Sequence, residues 1–142
     1  MNSTPQFGNP LEKFTERPGA YAVLNNSNGQ LLTVFVRGRY HLPGGGIDRN
    51  EDPLAAVIRE VKEETGYQVS SLKEIGRANQ FLETKDLGPI NKLGTYFYGS
   101  IEDRPLQKTA EADHQVMWID PEEFINSSAH DFHKWAVRKA FK

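Results

Sequence analysis

The sequence of 142 residues contains no cysteine, and it has no long uninterrupted hydrophobic segment. The absence of cysteine excludes disulfide bonds, thiol nucleophiles and cysteine-ligated zinc, and it is compatible with the reducing cytoplasm, where we expect the protein to act. The N-terminal residues lack an apolar run with a basic flank, so neither a signal peptide nor a transmembrane helix is predicted. We therefore expect no association with a membrane.

An excess of charge of either sign is also absent. Seventeen Lys and Arg residues face nineteen Asp and Glu residues, which gives a formal net charge of −2 at pH 7. Such a balance lacks the basic footprint of a protein that binds nucleic-acid phosphates, so we expect no nucleic-acid partner. Hydrophobic residues make up 37% of the chain and charged residues 25%, which is ordinary for a globular protein. The length predicts one domain over residues 1–142.

The order of the predicted elements indicates the fold class. Residues 1–13 are rich in turn-forming side chains and predict a loose or late-joining arm. Apolar periodicity predicts strands, helices and two loops along the rest of the chain. The strands are expected at 20–24, 31–36, 41–42, 69–78, 79–83, 92–100 and 115–119, the helices at 53–65, 122–125 and 130–141, and the loops at 84–91 and 102–113. Strands on both sides of a central helix predict an α/β layered domain with a mixed sheet.

The central helix has clear start and stop signals. Asp52 is suited to the N-cap, and Pro53 fits the first helical position because its missing N–H costs nothing there. Gly66 fits the stop, where a left-handed residue is favoured. One apolar stripe at helical spacing is expected to face the core. Its members are Leu54, Val57, Ile58, Val61 and Thr65.

Three glutamates on a neighbouring face of this helix are unfavourable for a bare helix. Glu60, Glu63 and Glu64 stand at i, i+3 and i+4, where each like-charge pair costs roughly 0.2–0.5 kcal/mol. They also face the negative end of the helix dipole. Arg59, four residues before Glu63, offsets only part of this repulsion. A divalent cation would offset it, and hard cations such as Mg²⁺ take oxygen ligands together with water and substrate phosphates.

The stretch from Gly45 to Tyr67 resembles the Nudix box. That motif consists of Gly, five residues, Glu, seven residues, Arg-Glu, a bulky apolar residue, any residue, Glu-Glu, any residue, Gly and a second bulky apolar residue. Every fixed position is met, and Val61 fills the first bulky position. Tyr67 stands in the last position, where an aliphatic residue is commoner. The matching fixed residues are Gly45, Glu51, Arg59, Glu60, Glu63, Glu64 and Gly66.

The resemblance implies an α/β/α sandwich with a mixed β-sheet and a hydrolase that cleaves a nucleoside diphosphate linked to another group. It implies Mg²⁺ as the cofactor, with Mn²⁺ as a possible substitute. Glu60 and Glu64 would be metal ligands, and Glu63 would be a ligand or the base that activates water. The backbone carbonyl of Gly45 would be a further ligand, because a glycine lets the chain approach the metal closely.

Other positions receive supporting or substrate-binding roles. In the box, Arg59 and Glu51 are implied to form an ion pair that orients the glutamates, so Arg59 completes the catalytic set with Glu60 and Glu63. Gly44, in the lead-in to the box, is assigned to substrate binding together with Gly45. Arg37, which precedes the glycines, is a candidate contact for phosphate or base, and its alternative interpretation is a solvated hairpin edge.

Many family members carry one more acidic residue far downstream, as a metal ligand or general base. Glu111 and Asp113 are the best candidates for this remote carboxylate, and Glu83 and Glu102 are weaker ones. For each, a solvated loop charge is the alternative interpretation. His130 and His133, three residues apart on the last helix, are expected to be surface histidines rather than metal ligands.

The leading hypothesis is a Mg²⁺-dependent pyrophosphohydrolase that acts on a small nucleotide-type molecule. A (d)NTP, or an oxidised (d)NTP, is the first expectation for the substrate, with a nucleoside monophosphate and pyrophosphate as products. NDP-sugars and dinucleoside polyphosphates are alternatives, because this box serves all of them. A non-catalytic nucleotide-binding Nudix domain is the alternative from another class. For the assembly, a homodimer is the default expectation.

Overall fold

The computed structural model describes residues 3–101 and 114–141, and the described chain forms eight strands and three helices. The strands are β1 (Gln6–Phe7), β2 (Thr15–Asn25), β3 (Leu31–Val36), β4 (Arg39–His41), β5 (Gly44–Gly46), β6 (Lys73–Thr84), β7 (Gly88–Ser100) and β8 (Gln115–Ile119). The helices are α1 (Pro53–Thr65), α2 (Pro121–Ile125) and α3 (Asp131–Ala140). None of the helices in these two ranges is long and apolar enough to span a bilayer.

All of the strands join one mixed sheet. Its main order is β1-β6-β7-β2-β3-β4, while β5 pairs with β2 and β8 pairs with β3. The pairs β1–β6 and β2–β7 are parallel, and the other pairs are antiparallel. The parallel β2–β7 pair runs from Thr15 opposite Ile90 to Asn25 opposite Ser100. This long central pair sets side chains from two distant parts of the chain next to each other.

The alternation of β2 shows how the sheet separates two helical layers. Because successive side chains of a strand point to opposite faces, Tyr21 and Val23 pack into the core under α2 and α3. Ala20, Ala22 and Leu24 pack into the core under α1. The helices therefore lie on both faces of the sheet, and the expected α/β/α sandwich with a mixed sheet is confirmed.

The box helix matches its sequence signals closely. The Asp52 side chain accepts a hydrogen bond from the Leu54 N–H at 2.9 Å. Gly66 ends the helix with φ 81°, in the left-handed region that only glycine adopts at little cost. The prediction of the apolar stripe was wrong at one position. Leu54 is 40% exposed, whereas Ala56, which was not predicted to be buried, is fully buried. A small alanine at Ala56 is hidden by its contact with the sheet, which periodicity of large side chains does not reveal.

Several predicted boundaries differ from the structure. Residues 88–91 were expected in a loop, but they extend β7, and the turn shortens to residues 85–87. The two extended segments expected from Val69 to Glu83 form one strand, β6, which starts at Lys73. In the expected arm, Gln6 and Phe7 pair with β6 at the edge of the sheet. The loop expected at 102–113 lies outside the described residues.

The Asp52 cap provides a test of the helix start. Replacing Asp52 by alanine removes the acceptor of the Leu54 N–H, and we expect the free energy of unfolding to fall by about 1 kcal/mol. Urea denaturation followed by circular dichroism measures this. The control is Asp86→Ala in the exposed turn before β7, which we expect to change stability by less than about 0.5 kcal/mol. Equal effects of the two substitutions would contradict the capping role.

Candidate active site

The three glycines of β5 lie against the carboxylate-bearing side of α1. The Gly44 N–H donates a hydrogen bond to Glu64 Oε1 at 3.2 Å. A Cβ atom on Gly45 would lie 2.5 Å from Glu60 Oε2, so no other residue fits there without displacing that carboxylate. The Gly46 carbonyl accepts a hydrogen bond from Arg59 Nη2 at 3.1 Å. Each glycine thus contacts a different residue of the box helix.

Arg59 is the hub of the charged groups on this side of α1. Its Nε and Nη2 atoms donate to the two carboxylate oxygens of Glu51, each at 2.9 Å. Its Nη1 atom donates to Glu60 Oε1 at 2.9 Å and to Glu63 Oε2 at 3.2 Å. Planar bidentate pairing of this kind fixes orientation as well as charge. The guanidinium therefore orients two of the three box glutamates through direct contacts.

The carboxyl groups differ in their protonation behaviour. The hydrogen bonds from Arg59 and then from the Asp48 N–H lower the pKa of Glu51 to about 2. The pKa of Glu60 is raised because burial disfavours its charged form, although Arg59 opposes this shift. Glu51 therefore stays ionised at all ordinary pH values, and Glu60 holds its negative charge less firmly.

Glu64 and Glu63 occupy different environments. The Glu64 side chain is only 15% exposed, and its Oε2 atom lies 3.3 Å from His114 Nδ1. The Glu63 side chain is 56% exposed and reaches back toward Arg59. Glu64 is thus fixed between Gly44 and His114, whereas Glu63 is open to water.

A divalent cation fits the donors found here. Glu60 and Glu64 present two half-buried carboxylates one helical turn apart, next to a backbone that carries no side chain at Gly45. Within residues 3–101 and 114–141, no three acidic or imidazole side chains converge as a complete ligand cage. Mg²⁺ typically binds one or two carboxylates and completes its shell with water and phosphate oxygens. These donors therefore suit Mg²⁺, which needs few protein ligands, better than a metal that requires a coordination shell made entirely of protein atoms.

A cavity of about 350 Å³ opens beside Glu64 and the three glycines. Its wall combines cationic, imidazole and apolar side chains from β2, β4, β7 and α3. The remaining lining residues are Arg17, Pro18, Tyr21, Val36, His41, Leu42, Leu87, Ile90, Lys92, His114 and His133.

Two imidazoles of this cavity, those of His41 and His133, are uncharged at neutral pH. Burial lowers the pKa of His41 to about 4 and that of His133 well below its usual value. His133 is 2% exposed, and its Nδ1 atom lies 2.7 Å from the Tyr96 hydroxyl. The expectation of a surface His133 was wrong, because this ring continues the buried stripe of α3 between Phe132 and Ala136.

The structure places the other sequence candidates as follows. Arg37 is exposed in the turn between β3 and β4 and is not among the lining residues of the cavity. Glu83 is an exposed residue of β6. His130 is half-buried, and its Nδ1 atom lies 3.0 Å from Arg39 Nη1. Glu102, Glu111 and Asp113 lie outside the described residues.

Sequence reasoning missed the cations that line the cavity, Arg17 and Lys92. A signal existed for Lys92, which lies between Ile90 and Leu93 in a predicted strand. No local signal existed for Arg17, because its place in the cavity depends on the parallel pairing of β2 with β7. His133 was detectable from the helical spacing of the buried side chains of α3.

Comparisons with known proteins identify this architecture. The NUDIX domain family model matches residues 15–141. The chain is 34% identical over 136 residues to an RNA pyrophosphohydrolase of Bartonella quintana, covering 78% of this chain and 76% of that protein. It is 37% identical over 105 residues to the putative 8-oxo-dGTP diphosphatase YtkD of Bacillus subtilis, covering 67% of this chain and 66% of that protein. It spans less than half of two further relatives, 40% and 44% of their lengths.

A solved structure shows the same fold. The MutT protein of Methanosarcina mazei Go1 superimposes with a TM-score of 0.74 at 20% sequence identity, covering 93% of this chain and 96% of that one. At this identity the likeness supports the fold alone.

The Arg59–Glu51 pair predicts a defined pH dependence. Because the pKa of Glu51 is lowered in the folded state, the pair stabilises the fold above the usual carboxyl pKa of 4.5, and this stabilisation is lost as the pH falls toward 2. NMR titration should find the Glu51 carboxyl near 2 in the wild type and closer to 4.5 in Arg59→Met. The difference in unfolding free energy between the two proteins should narrow over the same pH range.

Arg77→Met is the matched control, because Arg77 makes only a loose pair with Glu74 at 3.9 Å. It should leave the Glu51 titration unchanged. A Glu51 carboxyl that titrates near 4.5 in the wild type would contradict the role assigned to Arg59.

Proposed function

Since this chain belongs to the NUDIX domain family, we propose that it is a divalent-cation-dependent pyrophosphohydrolase that cleaves a diphosphate bond in a nucleotide-type substrate. The observation that carries the proposal is the contact of the glycine strand with the box helix. It holds the Glu60 carboxylate against Gly45 and the Glu64 carboxylate in the wall of a cavity of about 350 Å³. A cavity of this size is suited to a small organic ligand.

In this proposal Mg²⁺ is the cofactor, with Mn²⁺ as a substitute, held by Glu60, Glu64 and the backbone at Gly45. Bound there, the ion would offset the charge of the phosphate oxygens and lower the pKa of a bound water. Glu63 is a further ligand or the base that accepts the proton of the attacking water, and its exposure suits the second role. Gly44 and Gly45, which line the cavity, contact the phosphates.

Arg59 and Glu51 support these groups without touching the substrate. Glu51 neutralises part of the guanidinium charge through two 2.9 Å contacts. The same guanidinium holds Glu60 and Glu63 and anchors the Gly46 carbonyl. Supporting contacts of this kind fix the orientation of metal ligands. Loss of Arg59 would therefore misplace both the carboxylates and the glycine strand.

For the substrate, we propose a (d)NTP or an oxidised (d)NTP, converted to a nucleoside monophosphate and pyrophosphate. The neutral His41 and His133 rings and the apolar Leu42 and Ile90 make one part of the cavity suitable for an uncharged heterocycle. The names of the two relatives, an 8-oxo-dGTP diphosphatase and an RNA pyrophosphohydrolase, point to the same bond type. NDP-sugars and dinucleoside polyphosphates are the alternative substrates.

The test is turnover of a nucleotide panel by purified protein with Mg²⁺. The panel contains (d)NTPs, 8-oxo-dGTP, NDP-sugars, dinucleoside polyphosphates and a 5′-triphosphorylated RNA. Glu64→Gln removes a negative ligand but keeps an acceptor for the Gly44 N–H, so we expect kcat to fall by roughly 100-fold or more with little loss of stability. Release of monophosphate and pyrophosphate is measured by chromatography.

Glu74→Gln, a change of an exposed carboxylate on β6, is the matched control and should turn over substrate like the wild type. If no compound is hydrolysed faster by the wild type than by Glu64→Gln, the hydrolase proposal fails. Tight binding of a nucleotide without turnover would favour the non-catalytic alternative.

A further inference from the structure

Lys92 and Arg17 form a pair of cations on one wall of the cavity. Lys92 lies on β7 directly beside Arg17 of β2 in the parallel register. Side chains at paired positions project to the same face of a sheet, and both residues line the cavity. Ile90, two residues before Lys92, also lines it, as strand alternation requires. Two cations from distant parts of the sequence are thus adjacent.

This arrangement is unfavourable in the unliganded protein. Like charges at opposed strand positions destabilise a sheet. Burial lowers the pKa of Lys92, the charge of Glu64 opposes this shift, and the charge of Arg17 lowers the pKa further. In the part of the chain that the structure describes, neither cation forms a salt bridge. Lys92 is half-buried and Arg17 is exposed. Glu64 offsets part of the cost of desolvating Lys92, and an anionic ligand beside the two cations would offset the remainder.

We propose that Lys92 and Arg17 bind the terminal phosphate of the substrate and so select nucleoside triphosphates over NDP-sugars. This inference rests on the proposed function, because the box glutamates would engage the diphosphate that is cleaved. A terminal phosphate carries about −1.5 to −2 charges near pH 7, whereas a phosphate inside an NDP-sugar carries one. Two adjacent cations match the first charge and exceed the second. A sugar in place of the terminal phosphate would leave the charge of the two cations less fully balanced.

The competing explanation is that Lys92 only balances the charge of Glu64. Glu64 already accepts the Gly44 N–H and lies 3.3 Å from His114. If Lys92 were a structural counter-charge, its removal would lower the melting temperature. If Lys92 instead serves to bind a ligand, removal of this partly desolvated charge leaves the melting temperature of the unliganded protein unchanged or raises it. Stability and binding therefore move in different directions under the two explanations.

The experiment compares two non-hydrolysable probes by calorimetry in the presence of Mg²⁺. They are the α,β-imido analogue of dGTP and the α,β-imido analogue of a dGDP-sugar, in which the sugar caps the second phosphate and leaves no terminal phosphate. Lys92→Met should weaken binding of the triphosphate analogue roughly tenfold or more, since a charge-assisted hydrogen bond is lost. Binding of the sugar-capped analogue should change by less than about threefold. Arg17→Met should also weaken binding of the triphosphate analogue. Lys92→Arg, which keeps the positive charge, should retain the preference for the triphosphate analogue.

Lys73→Met, the same substitution at an exposed position of β6, is the control and should bind both analogues like the wild type. The inference is overturned if the wild type does not prefer the triphosphate analogue. It is also overturned if Lys92→Met weakens both analogues equally, or if the melting temperature falls while the preference persists. A retained preference in a protein that hydrolyses nothing would refute the proposed hydrolase activity and leave the cation pair intact.

Discussion

The contact between the glycine strand β5 and the box helix α1 is the constraint on which the rest of the site depends. Gly44 binds Glu64, Gly45 leaves room for the Glu60 carboxylate, and Gly46 accepts a hydrogen bond from Arg59. This approach depends on the missing side chains of Gly44 and Gly45, where a Cβ atom would collide with the β2 backbone or with the Glu60 carboxylate. The contact places glutamate side chains from the negative C-terminal end of α1 next to the backbone of β5. The repulsion that they generate is offset in part by one guanidinium, and a divalent cation would offset the remainder.

The lining of the cavity beside this contact contains three kinds of group: Glu64 with the glycines, the cations Arg17 and Lys92, and the neutral rings of His41 and His133. Such a combination matches a molecule that has a cation-binding diphosphate, a further anionic group and an uncharged ring. These groups come from distant segments of the chain, and the parallel β2–β7 pair sets Arg17 beside Lys92. The proposed function and the proposed selectivity therefore depend on the same sheet.

The sequence was most informative where local signals determine structure. The bounds of α1, its Asp52 cap and its Gly66 stop are set by neighbouring residues, and all were confirmed. Residues 88–91 were misassigned because Gly88 and Pro89 favour turns locally, while pairing with β6 extends the strand. His133 was misassigned because its polar character was weighted above its place in a buried stripe. Arg17 and Lys92 become neighbours only through long-range pairing, which one sequence does not reveal.

The central claim is that the carboxylates beside the glycine strand exist to bind a cation that engages a diphosphate. A crystal soaked with Mn²⁺ and a non-hydrolysable nucleotide tests it directly, because the anomalous signal of manganese locates the ion. The account predicts an ion bound to Glu60 and Glu64 that also contacts phosphate oxygens. A crystal in which the nucleotide is bound but no ion lies beside residues 60, 63 and 64, with these side chains facing bulk water, would contradict it.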